Sequence, residues 1–264
     1  MLKYETVDNQ AEEWVVFVHG LGGSTKTWKK QIDSFSENYN LLLLDLPGHG
    51  SNADNTIYKV DPQKLHAGIK ETLDHLHIAR AHFVGMSLGT LVIANFAIRY
   101  PEYVNTIIFG GSVLKLSGIY KRALILANRI KRRVPYKFLY RFFAWFMMPK
   151  KRHRKSRGVF LREVVKLRKE TLFAWMEYLM VTINPDKILA KLDFLGKSIL
   201  MISGEEDHCF LADAKAVAKK LKGAEIKVIK KCGHVCSIEN WKSFNYLALE
   251  YLSACKSRMK GYPI

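Results

Sequence analysis

Gly85-Met-Ser-Leu-Gly89 sets a serine between two glycines. Before it, Arg80-Ala-His-Phe-Val84 has the composition of a short buried strand, and Leu88 to Tyr100 has that of a helix. At such a corner the glycines leave room for a cramped turn that lifts the Ser87 hydroxyl above the sheet. A serine hydroxyl is a poor nucleophile at neutral pH. It needs a histidine to take its proton, and the histidine needs a carboxylate to fix its tautomer. Gly204-Glu-Glu-Asp207 offers three acids after a strand-like run, and Cys232-Gly-His-Val-Cys236 places His234 in a turn after another. Taken singly, the pentapeptide also reads as a turn with a capping serine, Asp207 as a helix cap and His234 as a loop histidine.

A tetrahedral intermediate also requires donors for its oxyanion. The Leu88 amide, at a helix N-terminus, supplies one. His19-Gly-Leu-Gly-Gly23 brings glycine-rich backbone close enough for a second, assigned to the Leu21 amide. This loop lacks the Gly-Lys-Ser/Thr ending of a nucleotide-binding loop.

The elements that must position these groups alternate. Trp14 to Val18, Asn40 to Asp45, Asn105 to Phe109, Ser198 to Ile202 and Glu225 to Ile229 read as strands, and most are unbroken apolar runs. Helical patterns lie between them. Ser24 to Phe35 has Ser24 or Thr25 as its cap. A helix opening at Asp61-Pro62 carries the stripe Leu65, Ile69, Leu73 and Leu76. Helices over about 212–221 and 238–254 follow. The alternation predicts an α/β fold with a mostly parallel sheet covered on both faces, whose ligands sit at the carboxyl ends of the strands. His19-Gly20, Asp45, Ser87, Asp207 and His234 all fall there.

The chain has 264 residues, is 48% hydrophobic and carries a formal net charge of +18. Residues 113–192 hold 21 Lys and Arg against 4 Asp and Glu, so nearly the whole excess sits in one segment. The four cysteines are too few for a disulfide scaffold and fit a reducing, cytoplasmic setting. Cys232 and Cys236 flank His234 without a second ligand cluster, so no metal is expected. Met1-Leu-Lys-Tyr-Glu-Thr lacks a secretory pattern, and no apolar run reaches the ~20 residues of a spanning helix.

With these pieces in place the chain resembles the α/β-hydrolases that carry a helical lid inserted after the sixth strand. The resemblance rests on His19-Gly-Leu-Gly-Gly, Asp45-Leu-Pro-Gly-His-Gly50, Gly85-Met-Ser-Leu-Gly89, Gly204-Glu-Glu-Asp207 and Gly233-His234, and covers 14–112 and 193–254. It implies a hydrolase core over 1–112 and 193–264, with a basic lid over 113–192. It implies the chain order Ser87, Asp207, His234, with Asp207 preferred to Glu205 and Glu206 as the last residue of its turn. Three departures are visible. Ser51 lies one place before the position where the family's Asp-x-x-Gly-x-Gly-x-Ser pattern has its serine, and Asn52 occupies that position. The arginine that menaquinone-pathway synthases carry after the elbow is absent from Gly89-Thr-Leu-Val. The hairpin that opens the sheet is reduced to one strand near Leu2–Val7.

The expected activity is hydrolysis of a carboxylic ester with a hydrophobic acyl group, through an acyl-enzyme and without a cofactor. Carbon–carbon bond hydrolysis, a related lyase or synthase reaction, or a non-catalytic ligand sensor are the alternatives on the same residues. In the lid, Tyr136 to Met148 is almost wholly apolar except for Lys137 and Arg141, which share a helix face. The basic run Lys150 to Arg157 follows, and a second helix spans about Val159 to Val181 with Phe160, Val164, Leu167 and Trp175 on one side. Such a lid roofs a pocket, contacts an anionic inner-membrane surface peripherally, or receives an anionic substrate. No nucleic-acid recognition motif accompanies its charge.

Overall fold

The computed structural model describes residues 1–260, Ser117 and Arg132 excepted. Strands β1 (Lys3–Val7), β2 (Trp14–Val18), β3 (Asn40–Asp45), β4 (Ala81–Met86), β5 (Val104–Gly110), β6 (Ser198–Gly204) and β7 (Ala224–Ile229) form one sheet. Their order is β1-β3-β2-β4-β5-β6-β7. Only β1 runs antiparallel, pairing Lys3 to Val7 with Asp45 to Leu41. The central strands are buried on both sides, from Val15–Val18 through Leu41–Leu44 to Ile107–Phe109, which is why they read as apolar runs without alternation. Edge strand β7 is half exposed.

Helix α1 (Lys29–Ser36) carries the chain from β2 to β3 in one direction. Helices α2 (Pro62–His75) and α3 (Leu88–Arg99) carry it back across β4 and β5. Right-handed crossovers put helices of opposite travel on opposite faces, so the order reverses beside β2 and β4. Asp61 caps α2 by accepting the Gln63 and Lys64 amides, with Pro62 at the first position.

Helices α4 (Gly118–Ile130), α5 (Tyr136–Met147), α6 (Arg154–Val164), α7 (Lys169–Thr182) and α8 (Pro185–Phe194) intervene between β5 and β6. The insertion follows the fifth strand in chain order because, among the described residues, a single strand stands where the opening hairpin would. Helices α9 (Leu211–Lys220), α10 (Cys236–Glu239) and α11 (Trp241–Lys260) complete the chain.

Four boundaries differ from the sequence pattern. The helix expected over Val159–Val181 is broken between α6 and α7, where the Leu167 amide closes a turn on the Val164 carbonyl and Arg168 is extended. Buried Leu167 and Leu172 are five residues apart, a spacing that one straight helix cannot keep on a face. The final helix is interrupted at Asn240. Ser24 caps nothing: its hydroxyl donates to Glu163 of α6 at 2.8 Å, and Thr25 begins a short 3-10 turn. Helix α8 runs across residue 192 and packs on α3 and α9, so its contacts lie with the core helices.

Candidate active site

Ser87 lies between β4 and α3 with φ 52° and ψ −117°. A non-glycine residue in that region holds about 1–3 kcal/mol of backbone strain and persists only where its surroundings impose it. They do so here through close packing of α3 against the sheet. A Cβ added to Gly89 would overlap the Val18 carbonyl oxygen, and one added to Gly85 would lie 2.6 Å from Ile93 Cδ1. The Ser87 amide is tied to the Gly110 carbonyl at 2.9 Å.

The Ser87 hydroxyl donates to His234 Nε2 at 2.9 Å, and His234 Nδ1–H donates to Asp207 Oδ2 at 2.8 Å. This relay fixes the tautomer, because only a neutral Nε2 can accept from the serine. Asp207 and His234 are almost completely buried, while Ser87 keeps partial exposure. Asp207 Oδ1 accepts the Phe210 amide at 3.3 Å, and the Phe210 ring lies 4.7 Å from the His234 ring. The structure thus brings together the three residues that stand at the ends of β4, β6 and β7.

The rival acids do other work. Glu205 accepts the Lys231 amide at 3.0 Å. Glu206 meets the basic run of the insertion: Lys150 Nζ at 2.8 Å, Arg152 Nη1 at 3.3 Å and His153 Nε2 at 2.9 Å. Burial pushes its carboxyl up. The Lys150 and His153 hydrogen bonds and the Arg152 charge outweigh that and hold it below the usual carboxylate range.

Gly20 to Gly23 lies beside Ser87: a Cβ on Gly20 would stand 3.2 Å from Ser87 Cβ. The loop is pinned on both sides of Leu21. The Gly22 amide donates to His49 Nε2 at 3.1 Å, the Gly23 amide to the Gly20 carbonyl at 2.9 Å, and the Tyr140 hydroxyl of α5 to the Leu21 carbonyl at 3.1 Å. Leu88 occupies the first position of α3, where amides have no partner within the helix.

His19 and His49 serve as neutral struts. Each has Nδ1 on a backbone carbonyl (Gly20 and Pro47), and each accepts a backbone amide at Nε2 (Leu46 and Gly22). Burial lowers both pKa values, and for His49 the neighbouring His19 lowers it further. Asp45 is structural as well. It accepts the Thr25 amide at 2.8 Å, and takes both the amide and hydroxyl of Ser51 at 2.8 Å, so the shifted serine still closes the loop.

Patterns within the sequence did not disclose how the insertion contacts these loops. Buried His153 also reaches Glu239 Oε1 at 3.4 Å, and Glu239 accepts the Gly233 amide at 3.0 Å, one residue before His234. Trp175 Nε1 of α7 donates to the Pro47 carbonyl at 2.9 Å. Tyr120 and Phe146 pack on His208, next to Asp207. A separate cavity of about 650 Å³ between the α4–α5 turn, α7 and Tyr58 includes none of Ser87, Asp207 and His234. The Cys232 and Cys236 thiols are buried against the Gly233 and Ile202 carbonyls, each at 3.7 Å.

Comparison with known proteins identifies the family. A 2-hydroxy-6-oxononadienedioate/2-hydroxy-6-oxononatrienedioate hydrolase of Paraburkholderia phymatum is 25% identical, over 91% of this chain and 87% of its own. A 2-succinyl-6-hydroxy-2,4-cyclohexadiene-1-carboxylate synthase of Escherichia coli O1:K1 / APEC is 29% identical, over 86% and 88%. The solved structure of a carboxylesterase from Nitrososphaera gargenis superimposes with a TM-score of 0.80 at 20% identity, over 97% and 95%. The model of the alpha/beta hydrolase fold matches residues 13–240, and the chain belongs to that family.

Proposed function

We propose that the protein is a serine hydrolase that cleaves a carboxylic ester through an acyl-enzyme. The observation that carries this reading is the continuous relay from Ser87 Oγ to His234 Nε2 and from His234 Nδ1 to Asp207 Oδ2, with both hydrogen bonds under 3 Å. Ser87 Oγ attacks the acyl carbon while His234 Nε2 takes the hydroxyl proton. The Leu21 and Leu88 amides receive the oxyanion. Collapse of the intermediate expels the alcohol, which leaves with the proton from His234. Water, deprotonated by the same nitrogen, then hydrolyses the acyl-enzyme, and Asp207 stabilises the imidazolium in both halves. No step calls for a cofactor. The aromatic wealth of the insertion supports an apolar acyl group.

The test is labelling with a fluorophosphonate probe, followed by a chain-length series of p-nitrophenyl esters. Wild type is labelled, Ser87→Ala is not, and turnover peaks at one acyl length. Equal labelling of both proteins removes Ser87 from its role. A second reading, hydrolysis of a carbon–carbon bond, is supported by the Paraburkholderia relative, which matches over nearly the whole chain. Labelling of Ser87 with no turnover of any ester, together with cleavage of a vinylogous 1,5-diketone, selects it.

A further inference from the structure

Helix α5 is apolar around most of its circumference, yet only one side of it is covered. Tyr140, Ala144 and Met147 face inward and are buried, and Phe143 is partly covered. On the other side Phe138 is 67% exposed, Phe142 56% and Trp145 55%. At positions i, i+4 and i+7 these rings fall within roughly 60° of one another around the helix, so they form a single aromatic ridge. Exposed Lys137 and Arg141 flank it on one side, and exposed Lys150, Lys151, Arg152, Arg154 and Lys155 follow the helix. A helix that is apolar all round is normally buried all round, so this ridge is out of place in water.

We infer that the outer face of α5 docks on an anionic lipid bilayer, with Phe138, Phe142 and Trp145 entering the interface and Lys137 and Arg141 meeting headgroup phosphates. Charge selects this occupant. The segment 113–192 carries 21 basic against 4 acidic residues, so two copies meeting through α5 would bring like charge together, whereas an anionic surface neutralises it. The aromatic composition of the ridge suits the headgroup level, where flat rings sit readily and basic side chains extend to phosphate. Docking is peripheral: among the described residues no helix is long and apolar enough to cross a membrane.

The experiment is co-sedimentation of the full chain with phosphatidylcholine vesicles, and with vesicles in which one lipid in three is phosphatidylglycerol. Wild type binds the anionic vesicles, binds the neutral ones weakly, and is released by salt. Phe138→Ser/Phe142→Ser/Trp145→Ser lowers the affinity about tenfold or more. Lys137→Gln/Arg141→Gln lowers it by about fivefold per cation and reduces the salt dependence. Circular dichroism checks the folding of each variant. Should the triple variant not fold, brominated lipid serves on wild type: it quenches tryptophan fluorescence, and Trp145→Phe abolishes most of that quenching. Equal pelleting with neutral and anionic vesicles, no pelleting at all, or a triple variant that pellets like wild type overturns the inference. So does a concentration-dependent dimer that the triple variant dissolves and vesicles do not compete for.

Discussion

Removing the Glu239 carboxylate, which bridges the insertion to Gly233, tests whether this contact helps to set His234, the proposed general base. Glu239 accepts the Gly233 amide at 3.0 Å and the Ser156 hydroxyl at 3.1 Å, and lies 3.4 Å from His153. Ser156 has a second acceptor in the His153 carbonyl at 2.9 Å, and His153 keeps Glu206, so Gly233 is the group left stranded. An unsatisfied buried amide costs about 1–3 kcal/mol. In a chain of this order that is a fall of about 2–4 °C in Tm per kcal/mol, so Glu239→Ala should melt about 2–12 °C early. Gly233 immediately precedes His234, and a displacement of about 1 Å at a reacting group costs on the order of 100-fold. The expectation is therefore a 10- to 100-fold loss in kcat, or in the fluorophosphonate labelling rate, well below the melting transition. Ser156→Ala removes one of the two insertion contacts to Glu239, leaves His153 and Gly233 in place, and should cost less than about threefold. Glu239→Gln keeps an oxygen for the Gly233 amide and should restore most of the rate while loosening His153. A Glu239→Ala protein that melts early but labels at the wild-type rate refutes the argument, since the contact would then be structural alone.

Protonation provides three further tests. His66 is buried and its pKa falls to about 4, while the unfolded chain takes up that proton near 6.5. Stability should therefore decline between pH 6.5 and 4 by about 1.4 kcal/mol per unit from this residue, and His66→Gln should flatten the slope of denaturant-derived ΔG against pH by that amount. The Glu206 carboxyl is held below its usual range. The stability gap between wild type and Glu206→Gln should then be constant above about pH 5 and close as the pH falls through its lowered value, as thermal melts across that range would reveal. Burial pushes the Cys209 and Cys232 thiols up to about 12, so in the native protein iodoacetamide at pH 8 should modify them about 1,000-fold more slowly than a free thiol, measured by mass spectrometry.

The parts of the fold that could be read from sequence are those whose signal is local. The runs Trp14–Val18 and Asn40–Asp45 announce central strands because a strand buried on both faces cannot alternate. Asp61-Pro62 announces a helix start because cap and first turn are adjacent. Ser87, His234 and an acid of Gly204-Glu-Glu-Asp207 could be grouped because each follows a strand and a parallel sheet gathers all its strand ends on one edge, while the preference for Asp207 over Glu205 and Glu206 rests on the resemblance to the α/β-hydrolases. The fastening of the insertion could not be read this way. His153 sits in a run of cations that looks solvated, and its partners are 53 and 86 positions away. Ser24 looks like a cap, yet its partner Glu163 lies 139 residues on. Tyr140 reads as one apolar residue among many, because nothing near it in sequence marks the Leu21 carbonyl as its acceptor.

Helix α5 joins the two halves of the proposal, and its two faces can be tested apart. Inward, the Tyr140 hydroxyl holds the Leu21 carbonyl, whose loop carries the proposed second oxyanion donor, and its ring stacks on Phe160 at 4.8 Å. Tyr140→Phe keeps that stack and removes one neutral hydrogen bond, so fold stability should fall by about 0.5–1.5 kcal/mol, and kcat by up to about 12-fold where the loosened Leu21 loop loses the same energy in the transition state. Outward, Phe142 is two residues along and on the opposite side, so Phe142→Ser should weaken vesicle binding and leave turnover in free solution unchanged. Tyr140→Phe should bind vesicles as wild type does. If instead Phe142→Ser slows turnover in solution as much as Tyr140→Phe, the outer face is a packing surface for the active site. If Tyr140→Phe leaves turnover intact, the Leu21 loop is held by His49 and the glycine turn alone.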